Sequence, residues 1–324
     1  SSTQQIVMTE SLSAQLIYST WLSAENCRVV MNKLPTKAII CAAGIGTRFL
    51  PQTKTIPKEM LPIIDRPVIQ LIAEEAVATG VKEIIIVVND TKDAIEDHFT
   101  HNDELSNNLR KDGNHTKADA VEQIANMAKF TYVRQHDLPT GNARSVLNAQ
   151  HLLTDDEPFF VFYADDFFRA NTPRAKQLLC AYQKTGKSVI SLIEVEKEDA
   201  SKYGMVAIEQ DVGEKTFKVS RLIEKPGAEN TPSNFASVGG YLFTPDIMPF
   251  IADTKPGKNG EISLADSIDA YAQSHDVYGK FIDGIWHDTG DQVRYVEAQV
   301  DIMLENPEFA PKLRAFLERR LSQK

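Results

Sequence analysis

A short apolar run, Ala38-Ile39-Ile40-Cys41-Ala42, opens directly onto Ala43-Gly44-Ile45-Gly46-Thr47-Arg48. The run is too short for a helix and does not alternate, so it reads as a strand buried on both faces of a parallel sheet. Two glycines at its C-terminal end let the backbone approach an anionic ligand and turn successive N–H groups toward phosphate. Such a loop belongs at the carboxyl edge of an α/β sheet, where ligands bind. Neither common nucleotide fingerprint fits. A dinucleotide loop needs a third glycine where Phe49 stands, and a Walker A loop needs Gly-Lys-Ser/Thr further on.

Strand and helix patterns alternate from there. The spacing predicts a helix over residues 68–79, with Pro67 at its first position and Gly80 as its stop. Residues 83–88 read as the next buried strand. A polar stretch over 93–129 reads as helical at both ends, with a break near Asp112-Gly113-Asn114. Strands follow at 130–135, 159–164 and 188–195, and helices at 142–151 and 173–184. Shorter β segments at 205–209, 217–223 and 237–243 suggest antiparallel additions, and two helices close the chain at 292–305 and 311–322. Residues 1–36 show no clean period and read as an N-terminal extension, with a packed helix around 12–22 as the competing reading.

The 324 residues carry 42% apolar side chains, enough for a sizeable core, and 35 Lys+Arg against 45 Asp+Glu. A net charge of −10 argues against a nucleic-acid protein, though a local basic pocket for phosphates remains compatible with it. Cys27, Cys41 and Cys180 are too few and too scattered for a disulfide framework or zinc cluster, which points to a reducing, cytoplasmic setting. No apolar run reaches the ~20 residues of a membrane helix, and none of the pattern calls for a membrane partner.

The glycine loop continues as Arg48-Phe49-Leu50-Pro51 and then Pro57-Lys58-Glu59-Met60-Leu61-Pro62. Taken alone, Arg48 and Lys58 are ordinary surface charges; as one string they resemble the first motif of the sugar-1-phosphate nucleotidyltransferases. The string is most similar to that of the bacterial members using UTP and glucose 1-phosphate. The resemblance runs to about Ala298 and implies a Rossmann-like, GT-A-like three-layer sandwich with a mixed, mostly parallel sheet. It divides the chain into an extension (1–36), a catalytic domain (37–290) and C-terminal helices (291–324).

Further motifs arrive in the family's order. By this resemblance Ala43, Gly44, Gly46 and Thr47 hold the nucleotide, Arg48 and Lys58 are catalytic, and Gln135 reads the uracil edge. Gly141-Asn142-Ala143-Arg144-Ser145-Val146-Leu147 stands where the family has Gly-Leu-Gly-His-Ala-Val-Leu, and the gap from Gln135 is one residue longer. Gly141 can still offer backbone groups to the base, but the departure leaves thymidylyl or another nucleotidyl transfer open. Asp165 of the Ala164-Asp165-Asp166 motif corresponds to a nucleotide and metal carboxylate, with Asp166 as its neighbour; a turn cap is the plainer reading of the pair. Asp288 of Trp286-His287-Asp288-Thr289-Gly290 corresponds to the second metal carboxylate, and Mg²⁺ is the implied cofactor. His287 reads as structural, since an ionised phosphate nucleophile needs no base.

Gly204, Glu224 and Lys225 correspond to sugar-phosphate contacts, and Glu261 is a further candidate that reads equally as a first-turn acid. The implied reaction is Mg²⁺-assisted in-line uridylyl transfer from UTP to α-D-glucose 1-phosphate, releasing pyrophosphate, by a homo-oligomer (dimer or tetramer). A non-catalytic relative serving as a ligand-sensing module is the alternative from another class.

Overall fold

The computed structural model describes residues 32–257 and 260–323. The expected helix around 12–22 and most of the N-terminal extension lie outside the described residues. In chain order the elements are β1 (Lys37–Cys41), β2 (Pro62–Ile63), β3 (Arg66–Pro67), α1 (Val68–Val77) and β4 (Glu83–Val88). Then come α2 (Asp93–Phe99), α3 (Asp103–Lys111), α4 (His115–Asn126), β5 (Lys129–Arg134), α5 (Asn142–Ala149), β6 (Phe159–Tyr163) and β7 (Asp166–Arg169). They continue as α6 (Arg174–Thr185), β8 (Ser188–Glu194), β9 (Gly204–Gly213), β10 (Thr216–Glu224), β11 (Phe235–Phe243) and α7 (Met248–Asp253). The last are α8 (Leu264–Ala272), β12 (Val277–Phe281), β13 (Ile285–Asp288), α9 (Gln292–Glu305) and α10 (Ala310–Leu321).

A nine-stranded sheet runs β5-β4-β1-β6-β11-β8-β12-β10-β9. Alternation along β1 sends Ala38 and Ile40 into a core with α1 and α6, and Ile39 into a second core with α5, α7 and α8. Helices therefore cover both faces, which is why β1 and β4 after their first residue, and β6, are apolar rather than alternating. Gly80, in the left-handed region at φ 94°, ends the turn after α1 as expected.

The sheet is mixed, but less parallel than the sequence suggested. Parallel pairs join β5, β4, β1 and β6, and also β8 and β12, whereas β11, β9 and β10 pair antiparallel. Strand β9 also pairs with β11, through Ala236↔Met205 and Ser237↔Gly204. This second pairing closes β11-β8-β12-β10-β9 into a barrel-like ring. The bend falls at the register shift between Val238 and Tyr241. Gly240 has φ 98° there, and a Cβ would lie 2.6 Å from Arg174 Cδ, so glycine is required on both counts. The ring sets β9, β10 and β11 around one end of the parallel edge where β1 and β6 terminate.

Candidate active site

The loop after β1 is built as a cradle. Gly46 turns left-handed (φ 71°) into a 3₁₀ turn at Thr47–Phe49, and Thr53 Oγ1 donates to its carbonyl at 2.7 Å. Beneath the loop, Lys92 Nζ donates to the Ala42 carbonyl at 2.5 Å and to both Glu59 oxygens at 2.7 Å. Both partners are buried, at 4% and 1% exposure. Burial pushes the Glu59 carboxyl up and the Lys92 ammonium down, each resisted by its partner's charge. A buried pair tied to a carbonyl fixes the Pro57–Met60 turn against the glycine loop, because losing either member would strand a charge.

Lys58 on that turn forms an ion pair with Asp165 Oδ2. Burial opposes its charge, but Asp165, Glu59 and Asp288 outweigh it and hold the ammonium above its ordinary value. Asp165 ends the β6 edge, and its carbonyl accepts from Thr289 N at 2.8 Å and Thr289 Oγ1 at 2.7 Å. Strand β13 pairs with β7, Asp288 opposite Asp166, which brings the two acidic motifs together. A Cβ on Gly290 would lie 3.0 Å from both Asp165 Oδ2 and Asp288 Oδ1, so the two carboxylates face one point. Burial and then Asp165's like charge push the Asp288 carboxyl up, against the Gly290 N–H, Arg294 and Arg48. Among the described residues no group of three or more His, Cys, Asp or Glu side chains is gathered for a metal. Two hard carboxylates beside a phosphate cradle fit a divalent cation that takes its other ligands from phosphate and water.

Two cavities meet at this point. One, of about 440 Å³, is lined by Ala43, Gly44, Gly46, Thr47, Lys58 and Gln135, with Gly141, Ser145 and Glu261 beyond them. Gln135 Oε1 accepts from Ser145 Oγ at 2.9 Å, which holds its amide in place. Gly141 sits at φ 127°, and a Cβ there would fall 2.1 Å from the Ile262 carbonyl, so no other residue fits. The other cavity, of about 190 Å³, is lined by Tyr203, Gly204, Glu224, Ser237, Gly239 and Tyr241. Asn142, Tyr163 and Asp165 line both. Glu224 pairs in register with Gly204, whose missing Cβ leaves room for Glu224 Oε2 at 3.3 Å.

The remaining sequence candidates take the following positions. Glu261 lines the first cavity rather than the sugar side, because Ile262 N donates to Thr140 O at 2.8 Å and draws that segment toward Gly141. Lys225, left-handed at φ 48°, swings outward and meets Glu224 Oε1 at 3.0 Å. Arg48 is exposed at the rim and donates to Gly290 O at 3.2 Å. Asp166 lies in the wall of the smaller cavity, where it accepts from Arg174 at 3.0 Å and Gly239 N at 2.9 Å as a brace. His287 is buried against Asp301 at 3.0 Å, consistent with a structural role.

Other residues of the site went unread in the sequence. Glu59 stood inside the matched string without a role, and Lys92 follows β4 at the ligand edge, the one signal available for it. Arg294 donates to Tyr203 Oη at 2.6 Å, reaches Asp288 Oδ2 at 3.5 Å, and stacks over Trp286 at 5.6 Å. Cys41 lines the first cavity, but burial pushes its thiol up to about 12, so it is no nucleophile.

The nucleotidyl transferase family model matches residues 37–305. The UTP–glucose-1-phosphate uridylyltransferase of Bacillus subtilis (strain 168) is 38% identical over 287 residues, 89% of this chain and 97% of that protein. UTP–glucose-1-phosphate uridylyltransferase 2 of Staphylococcus saprophyticus is 39% identical over 87% of this chain and 97% of its own length. Among solved structures, UDP-glucose pyrophosphorylase complexed with UDP-glucose superimposes with a TM-score of 0.75 at 36% identity, covering 84% of this chain and all of that one. UTP-bound UGPase from Acinetobacter baumannii gives 0.77 at 29% identity, over 90% of this chain and 100% of the other. With the family model matched over residues 37–305 and relatives 38–39% identical over most of its length, the chain belongs to the nucleotidyl transferase family.

Proposed function

We propose that the chain transfers a uridylyl group from UTP to α-D-glucose 1-phosphate, giving UDP-glucose and pyrophosphate. The observation that carries this reading is the pair of cavities meeting at Asn142, Tyr163 and Asp165, with Lys58 and Asp288 beside the junction. The likeness to curated uridylyltransferases and to the UTP-bound and UDP-glucose-bound structures supports the substrate pair. The uracil edge would meet Gln135 and the Gly141 backbone, and the triphosphate would lie along Ala43–Thr47. The hexose would sit between Gly204 and Glu224, its phosphate facing the junction.

One phosphate oxygen of the sugar attacks the α-phosphorus in line, the bond to the β-phosphate oxygen breaks, and pyrophosphate departs. The nucleophile is already ionised, so the residues need only position groups and offset charge. Lys58, released from Asp165 by substrate, would meet the phosphate oxygens at the reacting centre. Arg48 would hold the departing tail at the rim. Asp165 and Asp288 would hold Mg²⁺, which supplies Lewis-acid neutralisation of phosphate charge. Lys225 would reach the sugar phosphate by turning from Glu224, and Glu261 would support the nucleotide.

The finer frame follows the same resemblance. We read the two cores on opposite sheet faces as the GT-A-like layering of the family, and residues 37–290 as carrying the catalytic motifs, with α9 packed on them to complete the first core. A cytoplasmic homo-oligomer completes the reading. The test is pyrophosphate release with Mg²⁺ across UTP, dTTP, CTP and ATP, each with glucose 1-phosphate. UTP should lead clearly; equal or better turnover with dTTP would replace uridylyl by thymidylyl transfer, and no release with any of them would favour a sensing module.

A further inference from the structure

Asn142 occupies a position where the sequence departs from the motif it resembles, and it lines both cavities. Its amide is used at both ends. Leu264 N donates to Oδ1 at 2.8 Å, and Nδ2 donates to Tyr163 Oη at 2.7 Å. Tyr163 Oη lies 3.1 Å from Tyr241 Oη, and the two rings meet edge to face at 5.7 Å.

The direction of this chain is fixed at its Asn142 end. A backbone N–H can only donate, so the amide atom facing Leu264 is oxygen and the one facing Tyr163 is the NH₂. The Tyr163 oxygen therefore accepts from Asn142, and its own proton is free to point at Tyr241, 3.1 Å away. In that arrangement Tyr241 accepts, which leaves its own proton to be placed outside the chain. Burial pushes the Tyr163 hydroxyl well above its ordinary range and Tyr241 up to about 12, so both remain neutral donors. Ser237 stands within reach of Tyr241 and lowers its hydroxyl pKa, and apart from that contact its buried Oγ has no partner among the described residues. Both groups line the smaller cavity. A buried hydroxyl without a partner signals a ligand or water that completes it.

We propose that Asn142 and Tyr163 are positioning residues that orient the Tyr241 hydroxyl as a donor, beside Ser237, toward one hydroxyl oxygen of the hexose. The inference deepens the proposed function and rests on its assignment of the smaller cavity to the sugar. The relay makes the site a reader of oxygen lone pairs at that hydroxyl. A fluorine in its place still accepts weakly, whereas a hydrogen leaves Tyr241 and Ser237 unsatisfied.

The experiment compares wild type, Tyr163→Phe, Asn142→Leu and the double variant. The substrates are glucose 1-phosphate and its 2-, 3-, 4- and 6-deoxy and deoxyfluoro analogues, with UTP saturating. Wild type should lose roughly tenfold or more in kcat/KM at one deoxy position and far less with fluorine there. Tyr163→Phe should raise KM for glucose 1-phosphate roughly tenfold, flatten that deoxy-to-fluoro contrast, and leave KM for UTP within about twofold. The double variant should be no worse than the more damaged single one, since both break the same chain. Wild type that fails to use glucose 1-phosphate would sink the function itself. Wild type that uses it, with variants changing only the melting temperature or changing both KM values alike, would overturn the relay while leaving the function standing.

Discussion

Asp165 is where the charges of the site are resolved, because it pairs with Lys58 and shares a focus with Asp288. Asp165→Asn keeps the shape and removes the charge, so Lys58 loses its partner and the divalent cation loses a ligand. Turnover should fall by roughly a hundredfold or more, with Mn²⁺ affinity, read by electron paramagnetic resonance, falling alongside. Unchanged affinity would remove Asp165 from the metal role. A different residue governs stability against pH. Burial holds His287 below its ordinary value despite Asp301, and burial does the same for His98. Each histidine is thus more readily protonated unfolded than folded, and its contribution, intact above about pH 6.5, is lost as pH falls toward the lower folded values. Melting temperature should drop between pH 7.5 and 5.5, and His287→Gln should flatten part of that slope; an unchanged slope would show that His287 does not carry it. Both aspartates and His287 were legible in short sequence strings, since local motifs carry them. Arg294 was not, because its partner Tyr203 lies 91 residues away and only the closed ring brings them together.

At the scale of elements, the entry to α9 does three jobs within one turn. Asp291 caps the helix by accepting from Val293 N at 3.0 Å and Arg294 N at 3.2 Å. Gly290 O receives Arg48, and Gln292 Nε2 donates to Arg48 O at 2.8 Å. Asp291→Ala should cost about 1 kcal/mol, seen as a melting shift of about 2–4 °C. Because the same turn seats Arg48 and Arg294, turnover should fall more than that loss of stability explains. A melting shift with full turnover would mean the rim does not depend on the cap. The sequence revealed the long buried strands and α9 itself, where periodicity spans many residues. It concealed β7 and β13, four residues each, whose pairing is nonetheless what unites Asp165 with Asp288. Strands that short carry too few residues for a period to emerge, and their partner is fixed by tertiary closure.

For the molecule as a whole, the two C-terminal helices divide differently from their sequence appearance. Both show apolar residues at helical spacing, yet only α9 buries any of them. Ala298 is fully buried in the first core, with Tyr295 and Ile302 packed against it. Tyr295 Oη also donates to Pro62 O at 2.7 Å, and Gln299 Oε1 accepts from Ile64 N at 3.0 Å. Helix α10 buries no residue, and it leaves Phe316 49% and Leu321 70% exposed. The core and the site are therefore complete once α9 has docked. A chain ending at residue 305 should keep its cooperative melt within a few degrees and its turnover per site within about twofold, because surface elements without buried contacts contribute little. A chain ending at residue 290 removes all of α9, Ala298 included, exposes the core beside β2, and should lose both the melt and the activity. Comparing the two truncations by calorimetry and pyrophosphate release, with sedimentation velocity on the longer one, separates the roles. Loss of activity in the 305-residue form with its melt preserved would place α10 in the working assembly. A smaller species at full turnover would assign its exposed apolar face to contact between copies alone.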